Sequence, residues 1–285
     1  MARPSKTTTA TATATSGAGA GSDIRLVTDA EVAHLWEHGW VKLEEIVSPE
    51  LAARLLERAK VHMGPGGDEH AVRKGTDTAN IFWNDRHRIA EDEEVFAGVC
   101  YGPQMGLNAQ RLMRREVGVL LSSNMLAVKI GTKQGSSCVS TEPTPYHQDA
   151  MDVPIDRNGY VGLWIALDHV TGDMGGMRFV DRSNALGMLG LVDLYQTYPE
   201  LHDMTLTEPI ELSPGDATAH LMYTIHGTGA NETSSPRWGL VVGYIPEDAM
   251  YTGGFAWSRA TLAWRATDQL ASGDSFGGML PKVYG

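Results

Sequence analysis

The sequence predicts a mainly β domain, a sandwich or barrel, with helices packed on one outer face. Three observations carry this. Helix signals crowd into the chain before about residue 113, and short apolar runs separated by Gly, Pro and Asp turns fill the chain beyond it. Helices first and strands after suits a helical layer laid on a β core. An apolar fraction of 42% in 285 residues is enough for one sizeable core, and β domains of about 200–250 residues as a single unit are routine.

Residues 1–22 are a low-complexity Thr/Ala/Gly stretch, expected to be a disordered tail because little in it can pack. It has no apolar run of a secretory signal, and only Arg3 and Lys6 speak for a transit peptide. Residues 23–285 are expected to form one domain. Thr28-Asp-Ala-Glu31 is a capping box, Val32, Leu35 and Trp36 give a helical stripe, and Gly39 ends that helix before a short strand at Trp40–Leu43. His34 and His38 lie one turn apart without a third ligand nearby, which reads as helix surface. Ser48 as N-cap and Pro49 at the first turn start a second helix with Leu51, Leu55 and Leu56 on its buried side.

Residues 64–88, including Ile81-Phe-Trp83, read as loop, and Glu91–Glu94 as a solvated face near a helix start. One helix is expected over about 92–113. Strands are expected at 117–121, 125–130, 164–167, 178–180, 217–221 and 240–245. Residues 250–285, with Tyr251, Phe255, Trp257 and Trp264, read as an irregular C-terminal extension that could line or cover a pocket mouth.

The net charge of −12 and pI near 5.2 argue against nucleic acid as a partner. They suit a cationic small-molecule substrate, and equally an ordinary cytoplasmic protein. No apolar run approaches the ~18–20 residues of a membrane span. Cys100 and Cys138 lie far apart with no CxxC spacing, as expected of two small buried hydrophobes in a reducing compartment. A monomer or homodimer is expected.

The chemistry gathers at Thr144-Pro-Tyr-His-Gln-Asp149. On an extended strand, residues two apart face the same way, so His147 and Asp149 could grip one metal ion from one side. His226 is the best third ligand. Two imidazoles and a carboxylate on one face of an octahedron leave three sites open, as in non-haem Fe(II) oxygenases. Arg237 lies eleven residues past His226. A hairpin of that length would return its guanidinium beside the His226 strand, a planar fork for the far carboxylate of a metal-chelating 2-oxo diacid. Thr228 could add a hydroxyl and Lys129 a second cation. Alone, His147 and Asp149 read equally well as a surface histidine and a turn aspartate, and Arg237 as a surface ion-pair partner.

Residues 23–247 resemble the phytanoyl-CoA dioxygenase family of Fe(II)/2-oxoglutarate oxygenases. The resemblance lies in His38-Gly-Trp-Val-Lys-Leu-Glu-Glu-Ile-Val-Ser-Pro-Glu50, Thr144–Ala150, Leu163-Trp-Ile-Ala-Leu-Asp168, and Gly215-Asp216 through His226-Gly-Thr-Gly-Ala-Asn231 to Pro236-Arg237. It implies a double-stranded β-helix, or jelly roll, with the helices on one face. It further implies iron at His147, Asp149 and His226, and the 2-oxoglutarate C5 carboxylate at Arg237 and Thr228. Lys129 and Trp164 would lie near the cosubstrate. Asn184 stands where the family often carries a His, a departure that bears on substrate contacts. Asp149 keeps the carboxylate that a halogenase would lack.

The activity implied is oxidation of a C–H bond using O2, with succinate and CO2 as co-products and ascorbate as a support in vitro. The outcome is hydroxylation or oxidation to a ketone. The Thr/Ala tail and Ala/Gly/Arg-rich usage suggest a setting in secondary metabolism. The overall look and the acidic charge resemble the dioxygenases of aminoglycoside biosynthesis, which implies an aminoglycoside such as kanamycin B, oxidised at an amine-bearing carbon with release of ammonia. Glu142, Asp152 and Asp156 are the acids that could meet its ammonium groups, or they are ordinary loop acids. A cupin-like isomerase or hydrolase would keep the metal site without needing Arg237, and a non-catalytic β-sandwich binding protein would need neither.

Overall fold

The computed structural model describes residues 23–69, 84–131, 141–151, 153–157, 159–190, 193–254 and 269–285. Ile81–Trp83, Cys138, Asp152, Phe255, Trp257, Trp264 and the 1–22 segment lie outside them.

Helix α1 spans Asp29–His38, and both bonds of its capping box are made: the Thr28 hydroxyl accepts from the Glu31 N–H while the Glu31 carboxylate accepts from the Thr28 N–H. Gly39 closes it at φ 85°, a left-handed conformation that costs glycine nothing, and β1 (Trp40–Leu43) comes next. Helix α2 (Pro49–Met63) begins at the Ser48 cap. Its buried stripe is Leu51, Ala52, Leu55, Ala59 and Met63, with Leu56 only partly covered.

The expected loop holds a strand, β2 (Asn84–His87), and after a short α3 (Ile89–Asp92) the single helix expected over 92–113 is two, α4 (Glu94–Cys100) and α5 (Pro103–Met113). Pro103 supplies no N–H and cannot continue α4, so it opens α5 at its first turn instead. Glu93 is not merely solvated. It accepts from Arg58 at 2.9 Å and stands 2.7 Å from His62, tying α2 to α4.

The remaining elements are β3 (Val119–Lys129), β4 (Thr144–His147), β5 (Val161–Ala166), β6 (Met177–Phe179), α6 (Leu194–Thr197), β7 (Ala217–Leu221), β8 (His226–Thr228), β9 (Arg237–Pro246) and β10 (Lys282–Tyr284). The two strands expected over 117–130 are one strand, β3, with a register shift between Leu121 and Ser123. The extension after residue 250 is not wholly irregular either, since β10 pairs with the start of β3.

Two antiparallel sheets result, curled as a double-stranded β-helix. The larger runs β1-β7-β5-β9-β3-β10, with β2 also on β3, and the smaller runs β4-β8-β6. Alternation along the strands sorts the large sheet into two faces. Leu163 and Ile165, Ala217, Ala219 and Leu221, and Leu240 and Val242 pack with helices α1, α2, α4 and α5. Residues between them, among them Gly162, Trp164, Thr218, His220, Arg237 and Gly239, take the other face, toward the small sheet. Among the described residues no helix is long and apolar enough to cross a membrane.

Candidate metal centre

Strands β4 and β8 pair with His147 opposite His226, which sets the two imidazoles side by side with ring centroids 4.3 Å apart. Each ring turns Nδ1 to a backbone carbonyl, His147 to Pro145 at 2.8 Å and His226 to Thr224 at 3.0 Å. A carbonyl only accepts, so each Nδ1 carries the proton and each Nε2 is left as a lone pair aimed into the gap.

Asp149 does not reach the gap by strand alternation. β4 ends at His147, and Asp149 opens a short 3-10 turn, Asp149–Met151. That turn brings Asp149 Oδ1 to 3.7 Å from His147 Nε2 and 3.6 Å from His226 Nε2, and one ligand atom from each residue lies within 4.8 Å of the others. Donors bound at about 2.1 Å to one ion at right angles stand about 3 Å apart, so this set closes on a metal with small movements.

Burial, then the rings of His220 and His147, push the His226 imidazole well below its ordinary value. Burial would raise the Asp149 carboxyl, but the imidazoles of His226, His220 and His147 outweigh it and hold the carboxyl far below its usual range. A neutral His226 imidazole beside an ionised Asp149 carboxylate suits metal binding, which needs both groups deprotonated at the ligating atom.

Arg237 arrives by a different route from the one expected. β8 and β9 do not form a hairpin, because β8 pairs within the small sheet while β9 lies between β5 and β3 in the large one. Arg237 therefore faces the metal ligands' sheet from across the barrel. It is 3% exposed, donates to the Gly175 carbonyl, and lies over the Trp164 ring with Cζ 4.9 Å from the centroid. Its Nε has no partner, and among the described residues no carboxylate pairs with it. Burial lowers its pKa to about 10. A buried guanidinium that keeps its charge without an acid beside it can receive an anion.

The softer candidates divide. Thr228 lies opposite Thr144, and its hydroxyl is 3.1 Å from both Thr144 Oγ1 and the Gly229 carbonyl. Lys129 pairs across the sheet with Arg237. Its Nζ lies 2.6 Å from the Glu142 carbonyl, 3.0 Å from the Gly229 carbonyl and 3.3 Å from Thr144 Oγ1, so its donors are already engaged on the protein. The Glu142 side chain is exposed. Asp156 is exposed and held by its neighbours: Oδ1 accepts from Arg157 Nε at 2.8 Å and from the Met250 N–H at 2.9 Å, and Oδ2 from Arg157 Nη2 at 2.5 Å. His34 and His38 stack on each other, and His38 meets Asp181 at 2.9 Å, which makes them part of the α1–β1 packing rather than bare surface.

Two residues at the site escaped the sequence reading. His220 on β7 and Tyr160 just before β5 both reach Asp149 Oδ2, at 2.9 and 3.0 Å. The available signal was a polar residue on the inward parity of a short apolar strand, legible only once the strand's faces are known.

The family model described as Phytanoyl-CoA dioxygenase (PhyH) matches residues 35–239, more than half of the chain. A probable alpha-ketoglutarate-dependent hypophosphite dioxygenase from Stutzerimonas stutzeri is 25% identical over 228 residues, 75% of this chain and 77% of that protein. Among solved structures, the non-heme alpha ketoglutarate dependent carbocyclase SnoK from nogalamycin biosynthesis superposes with a TM-score of 0.72 at 20% identity, covering 93% of this chain and 100% of that one. The epimerase SnoN, in complex with Fe3+, alpha ketoglutarate and nogalamycin RO, gives 0.71 at 20% identity over 90% and 98%.

Proposed function

The chain belongs to the phytanoyl-CoA dioxygenase family of Fe(II)/2-oxoglutarate-dependent dioxygenases, and from that premise we propose how its own residues divide the work. His147 Nε2, Asp149 Oδ1 and His226 Nε2 hold Fe(II), which supplies the site where O2 and 2-oxoglutarate meet. Arg237 takes the C5 carboxylate of 2-oxoglutarate, with the Trp164 ring as the shelf beneath the guanidinium and Thr228 at the edge of the same pocket. Lys129 straps β3 to the Glu142 and Gly229 carbonyls and to the Thr144 hydroxyl. Its part is to hold that wall of the site together rather than to contact the cosubstrate.

The observation that carries this reading is Arg237 itself: a guanidinium 3% exposed, on the sheet opposite the metal ligands, with an unpartnered Nε. A cupin-like isomerase or hydrolase has no use for that group. The test is succinate formation from 2-oxoglutarate with Fe(II) and ascorbate. Arg237→Ala is expected to raise KM for 2-oxoglutarate about 10- to 100-fold, as loss of a charged hydrogen-bond pair does. An unchanged KM would remove Arg237 from the role.

The substrate is a small molecule, and secondary metabolism is the setting its neighbours support, since SnoK and SnoN belong to nogalamycin biosynthesis. The narrower expectation of an aminoglycoside such as kanamycin B draws no support from those relatives. In Asp156, one of its three acids, the carboxylate is already paired with Arg157. An amine-bearing sugar therefore stands as one arm of a substrate panel beside polycyclic, amino-acid and acyl-CoA arms, each read as substrate loss coupled to succinate.

A further inference from the structure

We propose that Tyr160 and His220 are positioning residues that hold the Asp149 carboxylate with a single oxygen turned to the metal, and that the bare backbone of Gly162 is what allows them to meet it. The inference rests on the metal reading above.

Asp149 presents two oxygens to two different environments. Oδ1 stands 3.7 and 3.6 Å from the ligating nitrogens of His147 and His226. Oδ2 points the other way, 3.0 Å from the Tyr160 hydroxyl and 2.9 Å from His220 Nε2. A carboxylate oxygen accepts and never donates, so Tyr160 gives its O–H. The tautomer of His220 is set by its surroundings. The ring is 4% exposed, and its Nδ1 is buried with no hydrogen-bond partner. An orphaned N–H there is costly while Nε2 faces a carboxylate that needs a donor, so the one proton sits on Nε2. Two donors then occupy both lone-pair directions of Oδ2. The carboxylate cannot swing, and Oδ1 alone remains for the ion.

The large sheet is shaped to make this junction. Gly162 on β5 lies directly opposite His220 on β7 and opposite Gly243 on β9. A Cβ on Gly162 would stand 3.0 Å from His220 Nε2, 3.0 Å from the Tyr160 hydroxyl and 3.1 Å from Asp149 Oδ2. All three polar atoms converge on the one spot where β5 carries no side chain. The metal is thus gripped from the small sheet by His147 and His226, while the angle of its carboxylate is set by the large one. Such partners of a metal ligand typically account for 10- to 100-fold in metal affinity.

The test is anaerobic titration of the whole protein with Co(II), reading Kd and the ligand-field absorption, with the melting temperature of the metal-free protein recorded alongside. Tyr160→Phe and His220→Leu are each expected to weaken Co(II) binding about 10- to 100-fold. His220→Gln, which keeps an N–H at the same reach, recovers most of the loss. Gly162→Ala weakens binding without removing any donor. Tyr160→Phe leaves the metal-free melting temperature within a few degrees of wild type, which separates positioning from folding. Wild-type Kd in folded Tyr160→Phe and His220→Leu overturns the proposal while the metal site stands. No Co(II) binding by wild type, or undiminished binding by His147→Ala, overturns the metal reading and this inference with it.

Discussion

At Gly239 the difference between a hydrogen and a methyl decides where the Trp164 ring can lie. A Cβ there would come within 2.1 Å of the indole, so Gly239→Ala must lift the ring that Arg237 rests on. With the fold retained, KM for 2-oxoglutarate is expected to rise about 10- to 100-fold, the scale set by an ångström of misplacement in a binding group. An unchanged KM would mean that Trp164 does not seat Arg237. Lys129 carries a prediction of another kind. Burial, then the charge of Arg237, lower its pKa to about 6 from 10.5, with Glu142 opposing. The unfolded chain therefore binds more protons than the folded one between those values. Stability from this group must rise with pH across that window, by at most about 1.4 kcal/mol per pH unit. Urea denaturation at pH 6.5 and 8.5 should show wild type gaining on Lys129→Met; parallel curves would mean that the ammonium stays charged among its three acceptors.

The elements nearest the start were legible because their signals are local. Thr28, Glu31, Gly39, Ser48 and Pro49 each act on the backbone within a turn of themselves, and the structure places the ends of α1 and α2 where they stand. Thr28→Ala is expected to cost about 1 kcal/mol and Leu35→Ala, at a fully buried position, about 2–5 kcal/mol in urea denaturation. Neither should change Co(II) affinity, since α1 packs on the outer side of the large sheet. Longer elements misled where one residue changes the rule. Pro103 splits a continuous helical pattern, the shift between Leu121 and Ser123 hides that β3 is one strand, and β4 stops at His147 so that Asp149 arrives on a turn. Pairing partners leave no local mark at all. Nothing within the eleven residues from His226 to Arg237 says that they belong to different sheets, and nothing near His220 announces Asp149.

Across the whole molecule, the candidate site spans two sheets, and the chain's last strand braces one of them. β3 has its outer edge covered in two pieces, by β2 opposite Met125–Val128 and by β10 opposite Val119 and Leu120. Phe276 and Leu280 are buried beneath that closing segment. Removing residues 276–285 should expose this edge and lower the melting temperature by several degrees, on the order of 1–3 kcal/mol for each large apolar side chain lost from the core; an unchanged melting temperature would make β10 ornamental. The interleaving of the two faces of the large sheet has its own consequence. On β5, β7 and β9 the residues that pack under the helices and those that face the barrel interior share one backbone, odd against even. Deleting a single residue from such a strand acts like a frameshift. It would turn Trp164, His220 and Arg237 toward the helices and send Leu163, Ala219 and Trp238 inward. Substitutions on these strands should therefore be graded in effect, whereas one-residue insertions and deletions should be all or nothing, confining length variation in this chain to the turns between them.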